Sequence, residues 1–191
     1  TERINEIIER DNISGIILQD YNKGVLTERL IKDVISIANG KSIPVGVDPK
    51  KKNFLAYKNV SLFKPNLKEL KEGLGINFKH DIIEEILKAV DILHDKLNCR
   101  YIMTTLSERG VLIKDYEKGI YHHIPAHLRQ IADVSGAGDT VLSVAMLCLV
   151  NQQDAYHIAA LSNLAGGLVC EELGAVPINK DKFAEEIKKI F

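Results

Sequence analysis

The chain carries almost no net charge. Its 25 Lys and Arg stand against 26 Asp and Glu, a formal value of −1 over 191 residues. No global field therefore recruits nucleic acid or an acidic membrane surface. Cysteine is scarce, with three residues at Cys99, Cys148 and Cys170. They are widely spaced, odd in number, and form neither a CxxC pair nor a cluster with histidine. That argues against a disulfide framework and against zinc. Cys148 and Cys170 sit in apolar patterns and are read as small core residues. No apolar run approaches the roughly 18–20 residues of a membrane span, and no secretory leader pattern is visible. Internal repeats, low-complexity tracts and dividing linkers are missing as well. What remains is a globular chain with an ordinary 46% hydrophobic and 27% charged residues, expected to form one α/β domain over residues 1–191 in a reducing cytoplasm. Lys50-Lys51-Lys52 is too short for a basic patch and reads as a solvated loop. The chain opens at Thr1, not Met, in a helical pattern already under way, so it reads as the later part of a longer protein.

Against these absences stands a regular alternation of strand and helix patterns, the mark of an α/β fold with a largely parallel sheet between helices. Residues 13–18, 43–47 and 60–63 read as buried strands. Residues 25–39 read as a helix whose apolar face is Leu26, Leu30, Val34, Ile35 and Ala38, with Gly40 as its stop. Residues 81–97 are the clearest helix, with Ile82, Ile83, Ile86, Leu87, Val90, Leu93 and Leu97 on one stripe and Asp81 with Glu84 as a capping box. Strands are expected at 101–106, 111–114 and 120–124. Helices follow at 139–150 and 154–173, then a short strand at 176–178 and an amphipathic helix from Asp181.

The densest chemical signal is Asp133-Val134-Ser135-Gly136-Ala137-Gly138-Asp139-Thr140. Small residues let backbone N–H groups converge, and the helix that follows adds its free amides and the positive end of its dipole. The result is an anion site suited to phosphate. Asp139 at its mouth can take a proton from a hydroxyl while the loop holds a phosphoryl group in transfer. In open α/β sheets, ligands bind beyond the carboxyl ends of the strands. Asp20, Asp48, Lys50, Asn66 and Ser107 all fall at such ends.

Five segments, in order, resemble the later part of a ribokinase-like (PfkB-type) sugar kinase. They are Asp20-Tyr21-Asn22-Lys23-Gly24, Asp48-Pro49-Lys50, Pro65-Asn66-Leu67-Lys68-Glu69, Thr105-Leu106-Ser107-Glu108-Arg109-Gly110, and residues 133–140. The detail is most similar to the kinase half of bacterial heptose-7-phosphate kinases, where D-Y-x-K-G-x-L-T, V-D-P-K, T-P-N-x-x-E, T-x-S-E-x-G and D-V-[ST]-G-A-G-D-T-V are typical. Ser107 replaces a glycine common in the wider family, which favours that branch.

The resemblance implies a three-layer ribokinase-like fold, lacking here the earlier sugar-binding segment and the β lid. It implies ATP as phosphoryl donor, Mg²⁺ as cofactor, and a small sugar or sugar phosphate as acceptor. Asp139 is then the base, and Gly136, Ala137 and Gly138 form the hole for the γ-phosphate. Asn66 and Glu69 position Mg²⁺ and its waters. Lys50 neutralises nucleotide phosphate, and Thr105, Ser107, Gly110 and Asn163 line the nucleotide site. Asp133 and Ser135 resemble a loop where some relatives bind a monovalent cation. The full-length protein is expected to be a homodimer through the lid. The 191 residues alone are expected to hold a nucleotide and phosphorylate weakly or not at all, because few sugar contacts are present and water is not excluded. Two of these residues keep a second reading. Asn66 with Glu69 is also an ideal helix start, and Asn163 on an apolar helix is also satisfied by a backbone partner. The acceptor can equally be a fructose phosphate, ribose or a nucleoside. A catalytically silent nucleotide-binding module is the rival class.

Overall fold

A computed structural model describes residues 2–127 and 131–190. Strands β1 (Ile16–Gln19), β2 (Val45–Asp48), β3 (Leu62–Phe63), β4 (Tyr101–Thr105), β5 (Val111–Asp115) and β6 (Ile120–Ile124) form one sheet in chain order. β1 to β4 run parallel, and β5 and β6 add antiparallel at one edge. The carboxyl ends of the four parallel strands therefore share one rim.

The period of two along the strands sorts the core into two layers. Phe63, Ile102 and Leu112 face a cluster completed by helices α2 (Glu28–Gly40), α3 (Leu67–Leu74) and α4 (Ile83–Leu97). Their neighbours Leu62, Tyr101, Met103, Val111 and Ile113 face a second cluster with α5 (Ala137–Val150) and α6 (Ala155–Val169). Both α5 and α6 are apolar over most of their surface, as helices buried between a sheet and each other must be. Helix α1 (Glu2–Arg10) opens the described chain and α7 (Lys180–Ile190) closes it. Among the described residues no helix is long and apolar enough to cross a membrane.

Several expected boundaries move. The first helical pattern is α1, with Thr1 outside the described residues. Thr27 caps α2, its side chain accepting the Leu30 amide at 3.3 Å, so the helix starts later than its apolar stripe suggests. Gly40 is its last helical residue, not the stop beyond it. The Asp81–Glu84 capping box does not form: α4 starts at Ile83 behind Ile82, which offers no side-chain oxygen. Asp154 caps α6 by accepting the His157 amide at 2.9 Å, and that helix ends at Val169, short of 173. Residues 176–178 form no strand. Pro177 has no N–H to give a ladder, and Ile178 instead packs into the second core cluster. Cys99 and Cys148 are buried, and burial pushes their thiols up to about 12 and about 11; Cys170 is only half-buried.

One turn controls the β4–β5 hairpin. Gly110 sits at φ 87°, and its carbonyl accepts the Leu106 amide at 2.7 Å. A Cβ there would collide with the Ile124 carbonyl and the Ala126 amide. Gly110→Ala is therefore expected to cost at least about 2 kcal/mol of unfolding free energy, seen as a lower urea midpoint at unchanged slope. A midpoint equal to that of the unsubstituted protein would mean the hairpin mouth yields.

Candidate active site

The site is built where α5 begins over the rim of β2 and β3. Gly136 precedes the helix at φ 76°, ψ −5°, a left-handed conformation that glycine adopts at no steric cost. It turns the chain so that residues 137–139 form the first helical turn, and Thr140 donates the first intrahelical bond back to Gly136 at 3.0 Å. Of the three amides expected in the anion hole, Ala137 donates to the Val134 carbonyl at 3.3 Å. That withdraws it into the turn. The amides of Gly138 and Asp139 precede the first intrahelical donor, Thr140, and point along the positive end of the helix.

Beneath this turn lies a buried ion pair. Lys64 Nζ stands 3.0 Å from Asp48 Oδ2, with side chains 3% and 6% exposed. A Cβ on Gly138 would touch both groups, at 3.5 Å from Asp48 Oδ2 and 3.5 Å from Lys64 Nζ. Lys50 extends the cluster: its ammonium pairs with Glu69 Oε1 and stands 3.5 Å from Asp48 Oδ1. Asp48 Oδ1 is buried without a hydrogen bond, so at that distance its link to Lys50 is Coulombic. Burial lowers the Lys50 pKa, but Glu69 and Asp48 outweigh it and the net direction is up.

Asn66 and Glu69 sit at the start of α3 and form a reciprocal capping box. Asn66 Oδ1 accepts the Glu69 amide at 2.8 Å, and Glu69 Oε2 accepts the Asn66 amide at 2.9 Å. The helix-start reading is thus realised, and it aims Glu69 Oε1 at Lys50. The donors here are hard carboxylate oxygens. Among the described residues no group of three or more His, Cys, Asp and Glu gathers to hold an ion directly. Carboxylate oxygens are the donor type that Mg²⁺ takes, and it needs few of them because it keeps several waters. Asp48 Oδ1 is the oxygen with unused capacity.

The remaining predicted residues lie along β4 and its hairpin. Thr105 ends β4 and bridges to Asn66, which joins this group to the cluster above. Ser107 is exposed at φ 57° in the turn that Gly110 closes. Asn163 on α6 donates to the Pro125 carbonyl at 2.9 Å, so its backbone-partner reading holds. Pro125 also borders Gly110, which brings Gly110 and Asn163 to the same place. Asp133 accepts from Ser135 N at 2.9 Å, Ser135 Oγ at 2.8 Å and Gly174 N at 3.0 Å. The Ser135 amide and hydroxyl, then the Gly174 amide, hold its pKa below the usual carboxylate range.

Asp20 stands at the rim but turns inward, 2% exposed. Its carboxylate accepts from Tyr57 Oη at 2.8 Å, Asn53 Nδ2 at 3.2 Å and the Asn22 amide at 2.6 Å. It organises the turn and offers nothing to a ligand. Two residues escaped the sequence reading as individuals. Lys64 looks like a surface lysine before Pro65-Asn66, and only its place at the end of a buried strand hinted otherwise. Tyr21 lies inside the Asp20-Tyr21-Asn22-Lys23-Gly24 segment, yet its contact is remote: its hydroxyl donates to Asp139 Oδ2 at 2.7 Å. That hydrogen bond raises the Tyr21 phenol above its ordinary value.

A family profile described as pfkB family carbohydrate kinase matches residues 12–182. The chain belongs to that family. It is 34% identical over 189 residues to the bifunctional protein HldE of Campylobacter curvus, covering 98% of this chain and 39% of that protein. Among solved structures, phosphofructokinase-2 from Escherichia coli in complex with potassium superposes with a TM-score of 0.85 at 18% identity, covering 99% of this chain and 61% of that one. Ribokinase of Arabidopsis thaliana complexed with ribose and ATP gives 0.82 at 19% identity, covering 99% and 59%. The fold is therefore ribokinase-like. The chain spans about two fifths of that curated relative and about three fifths of those structures.

The buried pair makes a stability prediction. Lys64→Met leaves the buried Asp48 carboxylate with only the more exposed Lys50 ammonium, 3.5 Å from its other oxygen, and the expected loss is about 3–5 kcal/mol in urea unfolding. Adding Asp48→Leu should restore a large part of it. Two losses that simply add would mean the groups do not act as a pair.

Proposed function

We propose that this chain forms the nucleotide-binding and phosphoryl-transfer part of an ATP-dependent carbohydrate kinase, acting on a sugar or sugar phosphate, heptose 7-phosphate first among them. The observation that carries this reading is the placement of Asp139 in the first turn of α5, next to Gly138, whose Cα faces the Asp48–Lys64 pair. An amide-lined helix start, two ammonium groups and a carboxylate base stand within one rim. Phosphoryl transfer asks mainly for positioning and charge neutralisation, and this arrangement offers both. The heptose preference rests on the five segments described above, whose pattern resembles that branch.

In the reaction, the acceptor O–H gives its proton to Asp139 as its oxygen bonds to the γ-phosphorus, and the bond from that phosphorus to ADP breaks. The amides of Gly138 and Asp139 take the charge on the transferring group, with Gly136 setting their direction. Lys64 is held in place by Asp48, while Lys50 can leave Glu69 for a phosphate oxygen. Mg²⁺, when bound, would neutralise the nucleotide phosphates; Asp48, Glu69 and Asn66 are the residues that would hold it and its waters. Thr105, Ser107, Gly110 and Asn163 are assigned to the nucleotide side. Asp133 and Ser135 are the residues of the loop that would hold a monovalent cation. In the cytoplasm, the full-length protein would add the remaining sugar contacts and a lid, as a homodimer.

The test uses the full-length protein and ADP release from Mg-ATP. Acceptors are heptose 7-phosphate, fructose phosphates, ribose and adenosine. Heptose 7-phosphate is expected to be turned over fastest. Asp139→Asn should lower kcat by about a thousand-fold or more while ATP affinity changes little. Equal losses in both would assign Asp139 a folding role. ATP binding without turnover on any acceptor would favour a silent nucleotide-binding module.

A further inference from the structure

The geometry points to Tyr21 as a positioning residue for Asp139, its phenolic O–H holding one carboxylate oxygen and leaving the other to take the acceptor's proton. The inference rests on Asp139 being the base proposed above.

Three observations carry it. First, the contact joins groups 118 residues apart at 2.7 Å, and it is the hydrogen bond the structure gives the Asp139 carboxylate among the described residues. Second, the turn that delivers Tyr21 is rigid from both sides. The Asp20 amide extends the β1–β2 ladder by donating to the Asp48 carbonyl at 3.1 Å. Its carboxylate is held by Tyr57 and Asn53 and in turn binds the Asn22 amide, with Asn22 itself at φ 55°. Tyr21 thus starts two residues past Gln19, the register partner of Asp48, and reaches Asp139 at the start of α5. Third, Tyr21 is 58% exposed. An aromatic side chain held at the surface gains little from burial, so packing alone does not explain its place.

A carboxylate in the first turn of a helix can rotate about χ1 and χ2, and each wrong rotamer takes its oxygen away from the acceptor. One strong hydrogen bond to a charged oxygen selects among those rotamers. Near-attack geometry is sensitive to displacements of an ångström, so the selection acts on turnover more than on binding.

The experiment is a double-mutant cycle in the full-length protein. ADP release is followed with Mg-ATP and heptose 7-phosphate, or whichever acceptor in the panel turns over fastest. Tyr21→Phe is expected to lower kcat by about ten-fold, the worth of one hydrogen bond to a charged group, with KM for ATP essentially unchanged. Its thermal midpoint should stay within about 2 °C of the parent. In the Asp139→Asn background, Tyr21→Phe should cause no further loss, because the residue acts through Asp139. Unchanged kcat in Tyr21→Phe overturns the inference, as does an equal fold-loss in both backgrounds, which would mark a purely structural role. If Asp139→Asn abolishes turnover while Tyr21→Phe does not affect it, only this inference falls. If Asp139→Asn is itself fully active, the base assignment falls and the Tyr21 role falls with it.

Discussion

The buried pair of Asp48 and Lys64 is the constraint on which the rest of the rim depends. A carboxylate and an ammonium taken out of water are costly, and they persist only when each neutralises the other. Here the pair spans the ends of β2 and β3 and touches the first turn of α5 at Gly138. Strand ends and helix start are therefore fixed relative to one another by charge as well as by apolar packing. Phe63 and Leu62, beside Lys64, are sent to opposite core layers, so the lysine backbone has no freedom to slide. The group that anchors the sheet rim is the same group that sets the electrostatic floor of the site.

What the chain's sequence makes legible follows from how local the chemistry is. The turn at Gly136 is local: it needs its left-handed conformation, and an apolar helix follows at once, starting at Ala137, two residues before the expected 139, so Ala137 and Gly138 belong to the helix and not to a loop. The alternation of strand and helix patterns is likewise local, and the three-layer architecture follows from it. Asn66 with Glu69 was legible as a helix start. The helix-start reading is realised as a capping box, and that same box aims Glu69 at Lys50.

The misreadings have physical causes of the same kind. The Asp81–Glu84 box competes with a helix that starts two residues later, where apolar Ile83 and Ile86 pack into the first core cluster. Burial outweighs a cap worth about 1 kcal/mol. Residues 176–178 have a strand's composition, but Pro177 removes a ladder donor, so packing of Ile178 is what remains. Lys64 and Tyr21 carry no local signature. Each acquires its role from a partner brought near only by the sheet order, and sequence spacing does not encode a contact over 118 residues.

The two lysines of the cluster are chemically alike, yet the structure separates them. Asp48 and Glu69 balance Lys50 and Lys64, so the cluster is formally neutral before any nucleotide arrives. Its attraction for phosphate must then come from the α5 amides and from whatever positive charge can be released. Lys64 cannot supply it: at 3% exposure its departure would strand Asp48 in a dry site. Lys50 is 35% exposed, and Glu69, at 12%, keeps its second oxygen on the Asn66 amide when the lysine moves. The capping box is what makes that release cheap, because Glu69 is never left without a donor. In the proposed reaction, then, Lys64 is the fixed charge that orders the rim and Lys50 the movable one that meets the phosphates. This division follows from burial and hydrogen bonding alone.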